Sequence, residues 1–549
     1  MLSTKRLLAL LASLGYFVVC DAAATVWNPI VQTSKGQVVG VQGADARRYM
    51  LPYAKAPVGS LRFQRPQAVD RFNGSVFPIE ILQIQANHAF VASSTFDGTR
   101  LPPACLQADQ RSGQLDASTS EDCLYMNVYT PPANLPDAEL PVLVWVHGGS
   151  FTSGSIAALD GSKLARSQNM IVVTVQYRLG LFGWLKLNRW DIEGNYGLRD
   201  VIMALEAVQK DIKGFGGDPT RVTLAGHSSG AQMVQALLAA PSATSLFHRA
   251  ILHSAPLDYA PQSPSLAASV GSILVNQNLK ARVKSQILPG GLKSDNDLII
   301  AQSVLLQKAA LGGIADIPQA EPFNVVLDGD LVTGNGRDIV ASGKQIIYTT
   351  MKDEACNAVE AGTFAAGYLD IAADDFSGLV KLSYPKRGDA IIDSKLYQPS
   401  SDDEAVIAED LVDLTTDFVW VCPNQQTALS AASKSTVYLG KFDLGIQATS
   451  NRYSKLCTTK VGHEDDIAVV FNTPSSELSS AQTALVKEVQ TRWGEFARSG
   501  KPDGRGYSAW PALSATEGIK VLELGSTTTG GSSLATSQRT DTCAFYASL

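Results

Sequence analysis

No cluster of lysine and arginine occurs anywhere in the 549 residues, and acidic residues outnumber basic ones by 52 to 45, for a formal net charge of −7. Nucleic-acid binding is set aside on that ground, because a phosphate backbone is held by a concentrated basic surface. Beyond the N-terminus, no apolar run reaches the roughly 20 residues that a membrane-spanning helix needs. The last residues, "DTCAFYASL", are not a hydrophobic tail either. The cysteines show no paired C-x-x-C spacing, which excludes the usual thiolate zinc site. There is no internal repeat and no Pro-rich or highly charged linker, so nothing divides the chain into separate units. What remains is ordinary for a folded protein: 45% hydrophobic and 18% charged residues, enough to build a large core and too apolar for disorder.

The N-terminus reads as a secretory signal. In "MLSTKRLLALLASLGYFVVCDAAATVW", Lys5 and Arg6 precede an apolar run from Leu7 to Cys20 and then small residues. Cleavage after Ala22 or Ala24 satisfies signal peptidase. Residues 1–22 are therefore expected to be removed, leaving residues 23–549 as one soluble, exported domain. Of seven cysteines, Cys20 leaves with the signal, and the remaining six form an even set suited to disulfides in an oxidising compartment. "FNGS" places a glycan acceptor at Asn73.

Short apolar runs alternate with helical patterns: "PVLVWV" at 141–146, "MIVVTV" at 170–175, then Leu198, Val201, Ile202, Leu205, Val208 and Ile212 on one helix face. Glycines at 214, 216 and 217 stop that helix. Buried strands alternating with amphipathic helices predict an α/β fold, a mostly parallel sheet covered on both faces. The Gly/Ser/Thr-rich "GSTTTGGSSLATS", 525–537, reads as a surface loop.

Within that frame "LAGHSSGAQM", 224–233, sets Ser228 in a G-x-S-x-G pattern between a strand, Val222–Ala225, and a helix beginning near Ala231. A sharp strand-to-helix turn with glycines on both sides exposes a serine above the sheet as a nucleophile. A serine hydroxyl needs a base, and the base needs a carboxylate. In this chain order the base follows the serine with an acid between them. Of the six histidines, 88, 147, 227, 248, 253 and 463, only His463 lies far enough downstream. The acid stays open on sequence grounds: Asp353 and Glu354 follow the apolar run Ile346–Tyr348, and Asp328 and Asp330 also satisfy the order. An oxyanion hole is supplied by "VWVHGGS", where His147, Gly148, Gly149 and Ser150 follow a buried strand, together with the Ser229 N–H at the helix start.

At the level of whole segments the chain resembles the type-B carboxylesterase family, the α/β-hydrolase branch that includes cholinesterases, fungal lipases and carboxylesterases. "LPYAKAPVGSLRFQRPQAV", "SEDCLYMNVYTP", "VWVHGGSF", "VQYRLGLFGWL", "NYGLRDVIMALEAV", "FGGDPTRVTLAGHSSGA" and "LFHRAILHSAP" follow in the family's order and spacing.

The resemblance implies a serine carboxylic ester hydrolase with an acyl-enzyme on Ser228, acting on a small-molecule ester with no metal or cofactor. It places the acid on Glu354, the base on His463 and the oxyanion amides on Gly149, Ser150 and Ser229. It implies disulfides Cys105–Cys123 and Cys422–Cys543, which leaves Cys356 and Cys457 as a third pair. Three positions depart from the family pattern: His227 stands where glutamate usually precedes the nucleophile, Ser150 replaces a third glycine, and Glu464 follows the histidine in place of glycine. Ser150 and Glu464 are the support for an alternative, a catalytically idle recognition protein on the same fold. A lipase for longer-chain esters is the other alternative. The Cys105–Cys123 loop, "LQADQRSGQLDASTS", has no aromatic residue to hold a choline cation and no amphipathic flap for a lipid surface.

Overall fold

The computed structural model describes residues 28–72, 95–109, 112–133, 137–188, 191–274, 295–310, 321–334, 343–365, 373–514, 518–537 and 539–549. The signal segment and the acceptor Asn73 lie outside the described residues.

Eleven strands form the main sheet: β1 (Val41–Gln42), β2 (Arg47–Pro52), β3 (Tyr125–Thr130), β4 (Leu140–Val146), β5 (Ile171–Val175), β6 (Gly217–His227), β7 (Arg249–His253), β8 (Gln345–Met351), β9 (Thr436–Phe442), β10 (Lys520–Leu524) and β11 (Ser533–Thr536). Their spatial order is 11-10-9-8-7-6-4-5-3-2-1. The block from β5 through β4 to β10 is parallel, and antiparallel strands close both sides. The order reverses at β4, which has β5 on one side and β6 on the other. Such a switch point opens a crevice at the carboxyl ends of the strands.

Side chains on β4 alternate between two cores, as period-two geometry requires. Val142, Val144 and Val146 face one cluster, which holds Leu198, Val201 and Leu205 of helix α1 (Tyr196–Asp211) and Leu237 of α2 (Ser229–Ala239). Leu143 and Trp145 face the other, with Leu485, Val489 and Trp493 of α4 (Ser480–Ser499). Every residue of β4 is buried, which is why the run reads as continuously apolar. A third cluster joins Phe418, Trp420 and the start of α3 (Cys422–Ala432) to the C-terminal Tyr546. The structure pairs Cys105 with Cys123, Cys356 with Cys457 and Cys422 with Cys543. Among the described residues no helix is long and apolar enough to cross a membrane.

Three local expectations are corrected. The strand before the nucleophile begins at Gly217 rather than Val222, through an irregular register between those two residues. The helix after it begins at Ser229 rather than Ala231, because a single residue, Ser228, makes the whole turn. Residues 533–536, taken with the 525–537 loop, form edge strand β11 against β10. Short polar edge strands lack the alternating apolar signal by which a strand is recognised.

Candidate active site

Ser228 sits between β6 and α2 with φ 55° and ψ −126°, a conformation that L-residues rarely adopt. Surroundings enforce it. A Cβ on Gly230 would lie 2.4 Å from the Val146 carbonyl oxygen and 2.5 Å from that of His147, and one on Gly226 would lie 2.5 Å from the Gly230 oxygen. The two glycines thus let the turn close against the end of β4. The Ser228 N–H donates to the His253 carbonyl at 2.9 Å, which ties the turn to β7. Its hydroxyl makes no hydrogen bond to a described residue.

His463 lies in the loop after β9. Its Nδ1–H donates to Glu354 Oε2 at 2.7 Å, and the other carboxylate oxygen, Oε1, accepts the Met351 N–H at 2.8 Å. Chain order allows several carboxylates, and of the four named above Glu354 is the one that reaches the histidine. Asp353 Oδ2 instead accepts the Val461 N–H at 3.0 Å. Asp328 organises its own turn through Leu331 and Val332, and Asp330 ion-pairs with Arg199. The Glu354 bond fixes the imidazole tautomer and leaves Nε2 as the basic nitrogen. Glu354 is fully buried, whereas the His463 side chain keeps 20% exposure, so the imidazole reaches solvent and its carboxylate partner does not. Burial opposes charge on His463. The hydrogen bond and charge of Glu354, with Glu464 and Asp466, outweigh it and hold the imidazole above its ordinary pKa.

The loop carrying His463 is pinned from several sides. Asp465 accepts the N–H groups of Gly462 and Ala448 at 2.9 and 2.7 Å, and Asn451 Nδ2 donates to the His463 carbonyl at 2.7 Å. Cys356–Cys457 joins the acid loop to the base loop a second time, and the Asp353 N–H donates to Val461 O at 3.0 Å. Glu464, where the resembled pattern has glycine, takes φ 76°, and its carboxylate accepts the Ser450 hydroxyl at 2.8 Å.

After β4 the backbone turns through positive φ at three successive residues, Gly149 (118°), Ser150 (48°) and Phe151 (60°). A Cβ on Gly149 would meet Ser153 O at 2.2 Å. The Phe151 N–H is taken by Ser229 Oγ at 3.2 Å. The N–H groups of Gly149 and Ser150 have no acceptor among the described residues. That of Ser229, the first residue of α2, has none within its helix. Three donors therefore border the nucleophile turn.

Beneath the site lies a polar group that sequence reading did not single out. His227, His253 and Thr349 are side by side across β6, β7 and β8. The Trp493 indole N–H donates to His253 Nε2 at 3.0 Å, and His253 Nδ1–H donates to Asp466 Oδ2 at 2.6 Å. Burial works against charge on Asp466, but His253 and the neighbouring imidazoles keep it below the usual carboxylate range. The signal was "HEDD", a carboxylate three residues after the base, visible only once His463 is placed. Burial, followed by the neighbouring His463 charge, pushes His227 down to about 3, so it is neutral at working pH. A buried Glu321 carboxyl, whose Oε2 has no partner among the described residues, also stands near His463.

The sequence pattern described as "Carboxylesterase family" matches residues 86–546. Carboxylesterase 1D of Rattus norvegicus is 30% identical over 550 residues, covering 92% of each chain. Liver carboxylesterase of Sus scrofa is 30% identical over 537 residues, covering 90% of this chain and 89% of its own. A solved structure titled PNB esterase superposes with a TM-score of 0.72 at 27% identity, over 94% of this chain and all of that one. A thermophilic PNB esterase gives 0.73 at 26%, over the same shares. The chain has the α/β-hydrolase fold of these carboxylic ester hydrolases, and it belongs to the carboxylesterase family.

Proposed function

We propose that the protein is a serine carboxylesterase that turns over through an acyl-enzyme on Ser228. Ser228 Oγ attacks the ester carbonyl carbon while His463 Nε2 takes the hydroxyl proton. The carbonyl electrons move onto oxygen, and that oxyanion is held by the N–H groups of Gly149, Ser150 and Ser229, each such donor contributing about 3 kcal/mol. Collapse expels the alcohol, which leaves with the proton from His463. Water then attacks the acyl-enzyme along the same route, releasing the acid and restoring Ser228. Glu354 holds the imidazole and balances its positive charge in both halves.

The observation that carries this reading is the 2.7 Å Glu354–His463 hydrogen bond in a molecule whose single-residue turn presents Ser228. Among the described residues the Ser228 hydroxyl has no partner, in keeping with catalytic hydrogen bonds that tighten only around substrate. Uncharged esters are the expected substrates. The Cys105–Cys123 loop offers no aromatic face to a quaternary ammonium, and His227, neutral, adds no negative charge beside the nucleophile. Three disulfides support a secreted or lumenal location, with residues 1–22 as the signal and 23–549 as one catalytic domain. A fluorophosphonate tests the mechanism: it should label Ser228 covalently, and Ser228→Ala should abolish labelling. A folded wild type that takes no label overturns the reading and favours the idle recognition protein.

A further inference from the structure

On the sheet face covered by α3, residues of β8–β11 and the helix line a cavity of ≈ 200 Å³. Its floor and walls are apolar, formed by Tyr348, Leu439, Val521, Val421 and Ala535. Its charged lining is Lys352, Lys441 and Arg539 against one acid, Glu523. Lys441 is occupied by Glu523 at 3.0 Å and Asp443 at 3.1 Å, and Arg539 by Asp417 and Asp413. Lys352 makes no ion pair with a described residue. From the helix side the cavity is lined by Gln425, only 5% exposed, whose amide N and O have no hydrogen-bond partner among the described residues. A buried amide left unmatched is unfavourable unless something else supplies the match.

We propose that this cavity binds a small amphipathic carboxylate, with its tail against Leu439 and Val521 and its charged end taken by Lys352 and the Gln425 amide N–H. An amine would be repelled by Lys352, the lining cation that has no ion pair with a described residue. A phosphate would waste the apolar walls. A short-chain carboxylate suits both, since ligand pockets join an apolar body to a few placed polar groups. It is also the acid half of the esters that this family hydrolyses.

Two connections run from the cavity to the catalytic residues. Met351, in its lining, gives its N–H to Glu354 at 2.8 Å. Asn424, also in the lining, donates to the Trp420 carbonyl at 2.7 Å, and the Trp420 ring lies 5.4 Å from that of His463. An occupant therefore changes kcat rather than competing with ester. That consequence rests on the Ser228 mechanism, whereas the binding does not.

The test is a ligand-observed NMR titration of the full chain with hexanoate and with its uncharged counterpart hexanamide. Hexanoate is expected to saturate wild type with a Kd of about 1 mM. Binding should weaken about tenfold in Lys352→Glu through charge reversal and vanish in Ala535→Trp, which fills the cavity from the edge strand. Hexanoate should change kcat for a neutral ester in wild type and leave that of Ala535→Trp unaltered. Equal binding of hexanamide, an unchanged hexanoate Kd in both variants, or no saturation at about 50 mM overturns the proposal. Failure of the Ser228 mechanism appears instead as absent fluorophosphonate labelling and leaves the hexanoate titration intact.

Discussion

The imidazole of His227 lies against that of His463, ring centroids 4.6 Å apart, and its Nε2 is 3.8 Å from the buried Asp466 carboxylate. A neutral ring thus touches both the proposed base and a second negative charge. His227→Gln should keep the fold and most activity. His227→Glu, although it restores the residue usual in the resembled family, sets a carboxylate beside Asp466. Its melting should show a loss of about 3 kcal/mol, as for an uncompensated buried charge. An equally stable Glu variant would mean that Asp466 is not a fixed charge.

The proposed mechanism requires neutral His463, whose pKa Glu354 holds above the ordinary 6.5. The acid limb of kcat/KM should therefore lie above that value. Glu354→Gln should move it downward and cost at least about 10³-fold in kcat. Stability runs the opposite way: the His463–Glu354 interaction contributes fully below pH 6.5 and is lost as pH rises through the raised pKa. A pH–rate profile of both proteins decides this.

Burial pushes the Glu321 carboxyl up to about 8, ahead of opposing contributions from Gln232 and His463. Its folded pKa exceeds the usual 4.5, so the stability it contributes is complete below 4.5 and falls as pH rises toward about 8. Glu321→Gln should remove that slope. Melting temperatures of wild type and variant, compared across this window, should converge at its acid end and separate at its alkaline end, the variant being higher.

Cys356–Cys457 spans 101 residues and Cys422–Cys543 spans 121, so loop-closure entropy predicts similar stabilisation, about 4–5 kcal/mol for each. Their effects on turnover should differ. Cys356→Ala/Cys457→Ala frees the acid loop from the base loop and should lower kcat well below the melting temperature, with KM little changed. Cys422→Ala/Cys543→Ala should lower Tm with a far smaller effect on kcat. Equal kcat in the two double variants would deny the first bridge a positioning role.

Gly230→Ala is expected to be disproportionately harmful for one methyl group. The carbonyl oxygens it would strike, on Val146 and His147, are backbone at the end of β4 and cannot swing aside. Overpacking of this kind costs about 1–3 kcal/mol, and the displaced strand end carries the Gly149–Ser150 donors. Thermal melting together with the fluorophosphonate labelling rate measures both consequences.

Periodicity made the scaffold legible. The valines of β4 and the three- and four-residue spacing of α1 are local patterns, and the boundaries they predict fall within a residue or two of those observed. Around Ser228 the pattern identified the turn but not how tight it is, because φ at one residue leaves no trace in hydrophobic spacing. The polar strand Ser533–Thr536 was missed for the same reason: it forms by pairing with β10 rather than by burying a face.

By itself the sequence determined the sheet with its covering helices, the serine at a strand-to-helix junction, and a histidine that scarcity singled out. Chain order left open which carboxylate serves that histidine, since Asp353 satisfies it as well as Glu354. The family resemblance pointed to Glu354, and the tertiary structure brings that carboxylate to His463 across 109 positions. Packing alone also brought His227, His253 and Asp466 together. Local propensity acts between near neighbours in the chain, whereas a charge is placed by whatever the folded core sets beside it. The same contrast explains Ser150 and Glu464: in sequence they are departures from glycine, and in the fold they are residues at positive φ in the loops that carry the proposed oxyanion donors and the proposed base.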